Sequence, residues 1–197
     1  MKNIKKIVCI TILTAPFLFG ESTIDGIGFH LGKGYSNFIQ TDKTGAILLE
    51  KQPKKNYDGG ELYLQFKELD SHLKPSLSYT YTQNSDLKHH YILGGLSKYF
   101  TQEKTKIYGG ILFGYGELDW RYNPLNNSKE NDYKATSFIG GFQIGSEYPI
   151  NEKLSFGING KYLFHNYETN LEPTNTTHTI IEQDRSGFIG FGLKYSL

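Results

Sequence analysis

The residues best suited to chemistry in this sequence are its serines and histidines. Ser71 with His72, and Ser85 with His89 and His90, are the close Ser/His neighbours, and an imidazole within reach of a hydroxyl is the working pair of nucleophilic acyl transfer. Both groups fall in connections between the strands read below, where polar residues mainly keep a segment solvated. His89 and His90 are adjacent, so on a strand they point to opposite faces and do not converge on one metal ion. Neither a phosphate-binding loop nor a paired-carboxylate constellation stands out, and no catalytic residue, cofactor or metal ligand is assigned. Two further groupings suit binding. Trp120, Arg121 and Tyr122 form an aromatic and cationic cluster, and Lys51, Lys54 and Lys55 are cations suited to phosphate groups.

What positions these residues is β-structure. The chain has 197 residues, 15% of them aromatic, with 22 Gly, 15 Tyr and 13 Phe. Ordinary chains carry about 7% Gly, so glycine and aromatics are both in excess, and this aromatic content argues against disorder. Lys plus Arg number 21 against 20 acids, a formal charge of +1, which leaves no basic stripe for nucleic acid.

Residues 1–20 read as a secretory signal peptide. Lys2, Lys5 and Lys6 make a basic start, Ile7 to Leu13 an apolar run, and Ala15 to Gly20 a short exit before Glu21. The run is short for the ~20 residues of a spanning helix. The folded domain is then 21–197. Removing the leader takes away Cys9, the one cysteine, and with it any disulfide or thiol chemistry, and brings the formal charge to −2.

From Gly26 onward the apolar period is two. Phe138, Phe142, Ile144 and Tyr148 alternate with Ile139, Gly141, Gln143, Gly145 and Glu147; Phe156, Ile158, Tyr162 and Phe164 alternate with Asn159, Lys161, Leu163 and His165. Ile189, Phe191, Leu193, Tyr195 and Leu197 face away from Gly190, Gly192 and Lys194, while Ile27, Phe29, Leu31 and Tyr35 alternate with Gly28, His30, Gly32 and Gly34. Leu77, Tyr79 and Tyr81 form the cleanest case, and further strands run near Gly60 to Phe66, Tyr91 to Phe100 and Ile107 to Tyr115. Gly94 and Gly95 are read as a bulge, because Tyr91 and Leu93 suggest one face and Ile92, Leu96 and Phe100 the other. The total is eight strands.

The less apolar face is mostly Gly, Ser, Thr and Asn, and the charges gather in the connections. That suits a narrow interior better than a wetted exterior, so the apolar face is assigned to lipid and the polar face to a lumen, the transmembrane arrangement. Phe142, Ile158 and Phe191 are expected outside and Gln143, Asn159 and Lys194 inside. The connections 68–74, 101–106 and 149–153 are short and alternate with longer ones at 36–59, 117–134 and 166–184; only 83–89 breaks the asymmetry. Aromatics at the strand ends, Tyr99, Phe100, Tyr148 and Tyr195 below and Tyr35, Tyr81, Tyr115 and Phe164 above, are read as interfacial girdles. Lys33, in phase with the apolar face, is placed near the outer boundary, where it can snorkel. Glu147, Lys161 and Lys194 are in phase with the lumen, with Lys67 and Lys98 as further candidates, and form either an ion-pair plug or a thin polar path.

On these residues the sequence resembles the small eight-stranded outer-membrane proteins of Gram-negative bacteria, the OmpA/OmpX-type and opacity-type porin-like barrels. The end of the chain carries the most specific likeness: Ile189 to Leu197 resembles the C-terminal signal read by the outer-membrane assembly machinery, with Leu197 where the family most often has Phe. Gly140 to Ile150 resembles the penultimate hairpin of the group. The resemblance implies an all-β, eight-stranded antiparallel transmembrane barrel with short periplasmic turns and longer external loops. It implies outer-membrane lipid and lipopolysaccharide as surroundings, and a non-enzymatic structural or surface-interaction role in adhesion or envelope integrity. A narrow or gated channel and a lipid-A-modifying enzyme are the alternatives. Trp120, Arg121 and Tyr122 are the expected external contacts.

Overall fold

Period-two alternation becomes wall and lumen in the structure. The computed structural model describes residues 24–44, 47–51, 54–69, 71–102, 104–121, 133–174 and 177–197; the expected signal peptide and Tyr122 lie outside them. Nine strands follow in order: β1 Ile24–Thr44, β2 Ile47–Lys51, β3 Lys54–Phe66, β4 Leu73–Gln83, β5 Leu87–Gln102, β6 Thr105–Trp120, β7 Tyr133–Pro149, β8 Leu154–Thr174 and β9 Thr177–Ser196. All but β2 form one antiparallel, eight-stranded barrel, closed where β1 pairs with β9 from Gly26↔Ser196 to Thr44↔Thr177. Closure is obligatory in hydrocarbon, which offers an open sheet edge nothing to bond.

The side chains that strands turn outward are the apolar ones. Exposure runs from 39% at Phe29 through 58% at Phe142 to 84% at Phe138, the inverse of a soluble barrel. Above this band the outer wall turns charged: Lys33 lies 3.2 Å from Asp58, Lys134 lies 3.4 Å from Glu117, and Arg185 lies 2.8 Å from Asp184. Those pairs mark the upper edge of the membrane-spanning segments.

Three sequence expectations change. The long external connections are largely strand: β1 runs on to Thr44, β2 folds back on it from Thr44↔Ile47, β8 reaches Thr174 and β9 starts at Thr177. Thr, Tyr and Ile in these segments favour strand, and the continuing ladder bonds the backbone. The stretch through Gly94 and Gly95 has no bulge; its ladders to β4 and β6 run unbroken, with Tyr91 and Leu93 inward and Ile92 outward. The mixed phase arose because both faces of β5 are apolar at that height. Irregularities lie instead farther out: β9 steps from Arg185 to Glu182 while β1 steps only from Asn37 to Ile39, and β8 steps from Phe164 to Tyr167 while β9 steps only from Arg185 to Gln183. Finally, Lys98 is exposed on the outer face and Lys67 lies beyond the end of β3, so neither enters the lumen.

The β1–β9 seam shows how narrow the barrel is. A Cβ added at Gly192 would strike the Phe29 carbonyl, and one at Gly32 the Ile189 carbonyl. Backbone cannot yield as a flexible side chain would. Gly192→Val is therefore expected to lower stability by about 1–3 kcal/mol, read as a lower urea midpoint of unfolding in detergent micelles; an unchanged midpoint would show that the seam has slack.

Candidate functional site

The lumen is filled in two layers of opposite chemistry. In the lower layer four ionisable side chains, Glu61, Glu147, Lys161 and Lys194, are each 4–6% exposed. Lys161 of β8 crosses to Glu61 of β3 and also donates to Ser78 Oγ at 3.1 Å, while His30 Nδ1 donates to the second Glu61 oxygen at 3.1 Å. Lys194 of β9 donates to Glu147 Oε2 at 2.5 Å and to Gln65 Oε1 at 2.7 Å. Tyr99 OH donates to Glu147 Oε1 at 3.1 Å, and Gln143 Nε2 donates to Ser97 Oγ at 2.8 Å. Two carboxylates meet two ammonium groups, so the layer is balanced in charge. Around it remains a cavity of about 20 Å³ bounded by residues such as Tyr63, Gln65, Tyr108 and Asn159, room for about one water molecule.

The sequence placed Glu147, Lys161 and Lys194 in phase with the lumen and missed Glu61, the partner of Lys161. Its signal was present: Glu61 shares the phase of Tyr63 and Gln65, whose neighbours Leu62 and Leu64 face out.

The upper layer is apolar. Phe38, Leu87, Leu93, Leu118, Leu163 and Tyr167 are at most 2% exposed and pack as one core inside the barrel. This departs from a lumen expected to be polar throughout; the leucines are in phase with the interior, and above the lipid a barrel behaves as a soluble protein with its apolar face inward. Trp120 belongs to this core: it is 3% exposed, with its ring 5.5 Å from that of Phe38. Expected as an external contact, it is instead turned inward, because β6 remains a strand through Trp120 and its even-numbered residues face the lumen. Arg121 is exposed and bonds Gln83 through its guanidinium, while its backbone N–H donates to Asp86 O at 2.8 Å. Lys55 is engaged with Asp86, which holds that carboxyl below the usual range, chiefly through the hydrogen bond. Asn84 Oδ1 accepts from the backbone N–H groups of Asp86 and Leu87 at 2.8 and 3.0 Å, which keeps the 84–86 turn tight against the mouth.

The Ser/His groups do not assemble. Ser85 Oγ donates to Asp86 Oδ1 at 2.6 Å, His89 points inward to Gln183, and His90 points outward, 2.7 Å from the Tyr79 hydroxyl. His72 takes a left-handed backbone, φ 60°, in the turn after β3 and lies 2.8 Å from Glu68. Among the described residues no three His, Cys, Asp or Glu side chains gather to hold a metal ion.

Outside the barrel mouth, β2, β1, β9 and β8 continue as a sheet. Residues Gln40–Thr44 of β1 pair with β2 on one side and β9 on the other, and Thr169–Thr174 of β8 pair with β9. The β7–β8 ladder ends at Gly140↔Phe164, so among the described residues the outer part of β8 and the far side of β2 are sheet edges.

No protein-family model and no curated protein sequence matches the chain. Solved structures do. Neisserial surface protein A superposes with a TM-score of 0.56 at 14% identity, over 86% of this chain and 97% of that one. The fold is that of the small outer-membrane barrels. AlkL in lipid bilayers (TM-score 0.47, 11% identity, 88% and 90% coverage) and Ail of Yersinia pestis (0.41, 12%, 86% and 99%) also match. With its lipid-facing wall, the chain is a barrel of the bacterial outer membrane.

Breaking one lumen pair should be costly because it strands a charge. Lys161→Met is expected to destabilise the barrel by about 3–5 kcal/mol, and adding Glu61→Leu to recover much of the loss. Urea unfolding in micelles of the two variants checks both, and equal losses in single and double variants would rule out the pairing as the cause.

Proposed function

We propose that this barrel is a non-enzymatic outer-membrane protein that acts through its external sheet and does not conduct through its lumen. The observation carrying this reading is the double seal: a charge-paired polar layer below, with a cavity of about 20 Å³ beside Tyr63, Gln65 and Asn159, and a packed apolar core above. A path for ions needs continuous water, and Leu93, Leu118 and Tyr167 are fully buried members of the apolar core it would have to cross. What remains to meet other molecules is the sheet beyond the mouth, whose edges offer backbone groups to a partner strand.

The surroundings follow from the wall. Lys33 and Arg185 face outward and, although paired with Asp58 and Asp184, are well exposed and so suit lipopolysaccharide phosphates, whereas Lys55 is more buried in its pair with Asp86. Ile189, Phe191, Tyr195 and Leu197 present an exposed apolar row, the feature proposed to be read by the assembly machinery.

In vesicles at neutral pH the protein is expected to raise chloride and sucrose flux no further than an inactivated control. Deleting 40–51 and 170–180 is expected to leave heat-modifiable gel mobility intact and abolish surface adhesion or envelope resistance. Flux above the control would make the channel reading the better one, and a trimmed barrel matching the parent in every surface phenotype would remove the role of the sheet.

A further inference from the structure

The upper core holds two histidines that neither the fold nor the proposed role explains. His89 of β5 and Gln183 of β9 stand on diametrically opposite strands, and His89 Nε2 donates to Gln183 Oε1 at 3.0 Å straight across the lumen. On the far side His165 of β8 donates from Nδ1 to the Gln183 backbone carbonyl at 3.0 Å, and its Nε2 lies 3.0 Å from Ser186 Oγ. His165 lies in the β8 irregularity between Phe164 and Tyr167, outside the regular β8–β9 pairing. One residue thus joins both rings into a crossbar.

No carboxylate faces His89, and the one that acts on His165, Asp184, is shared with Arg185. Around His89 stand Tyr57 of β3 at 4.8 Å between ring centroids, Thr82 of β4, Tyr91 of β5, and Tyr167 of β8 at 6.2 Å, with Leu118 of β6 across the ladder. His165 faces Tyr167 at 4.6 Å, and the β7 residues nearby, Ala135 and Ile139, are apolar. The charged groups closest in sequence turn elsewhere: His90 outward to Tyr79 and Tyr81, Asp184 to Arg185, Asp86 to Lys55. The crossbar is also imperfectly satisfied, since Gln183 Nε2 and the Tyr167 hydroxyl are buried without a hydrogen-bond partner.

We propose that the His89–Gln183–His165 crossbar is an acid-sensitive latch that closes the outer end of the barrel at neutral pH and releases it when the two imidazoles take up protons. Burial pushes His89 down to about 3 and His165 to about 4, from an ordinary value of 6.5. A folded-state value below the open-state value means that the open form binds protons more readily. The closed form keeps its full advantage above about pH 6.5 and loses it as pH falls. At pH 5 each ring weakens the closed-to-open ratio by about thirtyfold. The latch rests on the reading of a sealed lumen.

The chain's single tryptophan, Trp120, lies in the same core and reports its opening. Acrylamide quenching of the full protein in micelles is expected to rise roughly twofold between pH 7.5 and 4.5 as the core opens locally. His89→Gln/His165→Gln, which keeps every carboxylate, is expected to show a flat profile, its folding checked by heat-modifiable mobility. A flat wild-type profile, or a rise of equal size in the double variant, would overturn the latch. Should the variant fail to fold, NMR titration of the wild-type imidazoles decides: midpoints below about pH 5 that coincide with Trp120 exposure support the latch, and ordinary midpoints with Trp120 still shielded overturn it. Flux at neutral pH would defeat the sealed-lumen reading alone, because the pH slope of Trp120 quenching is measured independently of it.

Discussion

Hydrocarbon offers no hydrogen-bond partner, and everything in this barrel follows from the need to bond every backbone group within the sheet. Closure of β1 on β9 meets that need, and eight strands close around a space only side chains can fill. The inner face must then be small where strands crowd, hence glycine opposite backbone at Gly32 and Gly192, and bulky where they part. The outer face is free to be large and apolar because the solvent it meets is lipid.

The two-layered lumen reflects a change of surroundings along the barrel axis. At membrane depth the apolar residues are spent on the wall, and the interior is built from Lys, Glu, Gln, Ser and Tyr held by one another. Above the band the outer wall meets water, so leucines return to the inside and Glu117, Lys134 and Asp119 take the outside. The same strands thus carry an inverted protein below and an ordinary one above. Stability in the upper half comes from apolar burial, and in the lower half from lipid contact, ladder bonds and paired charges.

Most of the lower half was legible in the sequence. Alternation at Phe138 to Tyr148 and Phe156 to Phe164 is strict because one side meets lipid and the other a narrow lumen, and both demands are uniform along the strand. The upper half was harder to read for a physical reason: where Leu93 faces in and Ile92 faces out, both sides are apolar and period two vanishes. Polar, strand-forming segments such as 166–174 pass for loops until the neighbouring ladder that recruits them is known. Pairing across the lumen, as between Lys161 and Glu61, depends on which strands stand opposite, and periodicity carries no such information.

The seam between first and last strands also shapes how the barrel comes to exist. Gly26 pairs with Ser196, so nearly the whole chain lies between two residues that must meet before the sheet has no edges. Hairpins such as β7–β8 need only local search, whereas this join is the longest-range contact the topology allows and its entropy must be spent before anything repays it. Until it forms, β1 and β9 both present open ladders ready to pair with whatever strand is near. Assembly is therefore close to all-or-none, slow at its last step, and most exposed to aggregation when almost complete, the moment at which an escort would matter most.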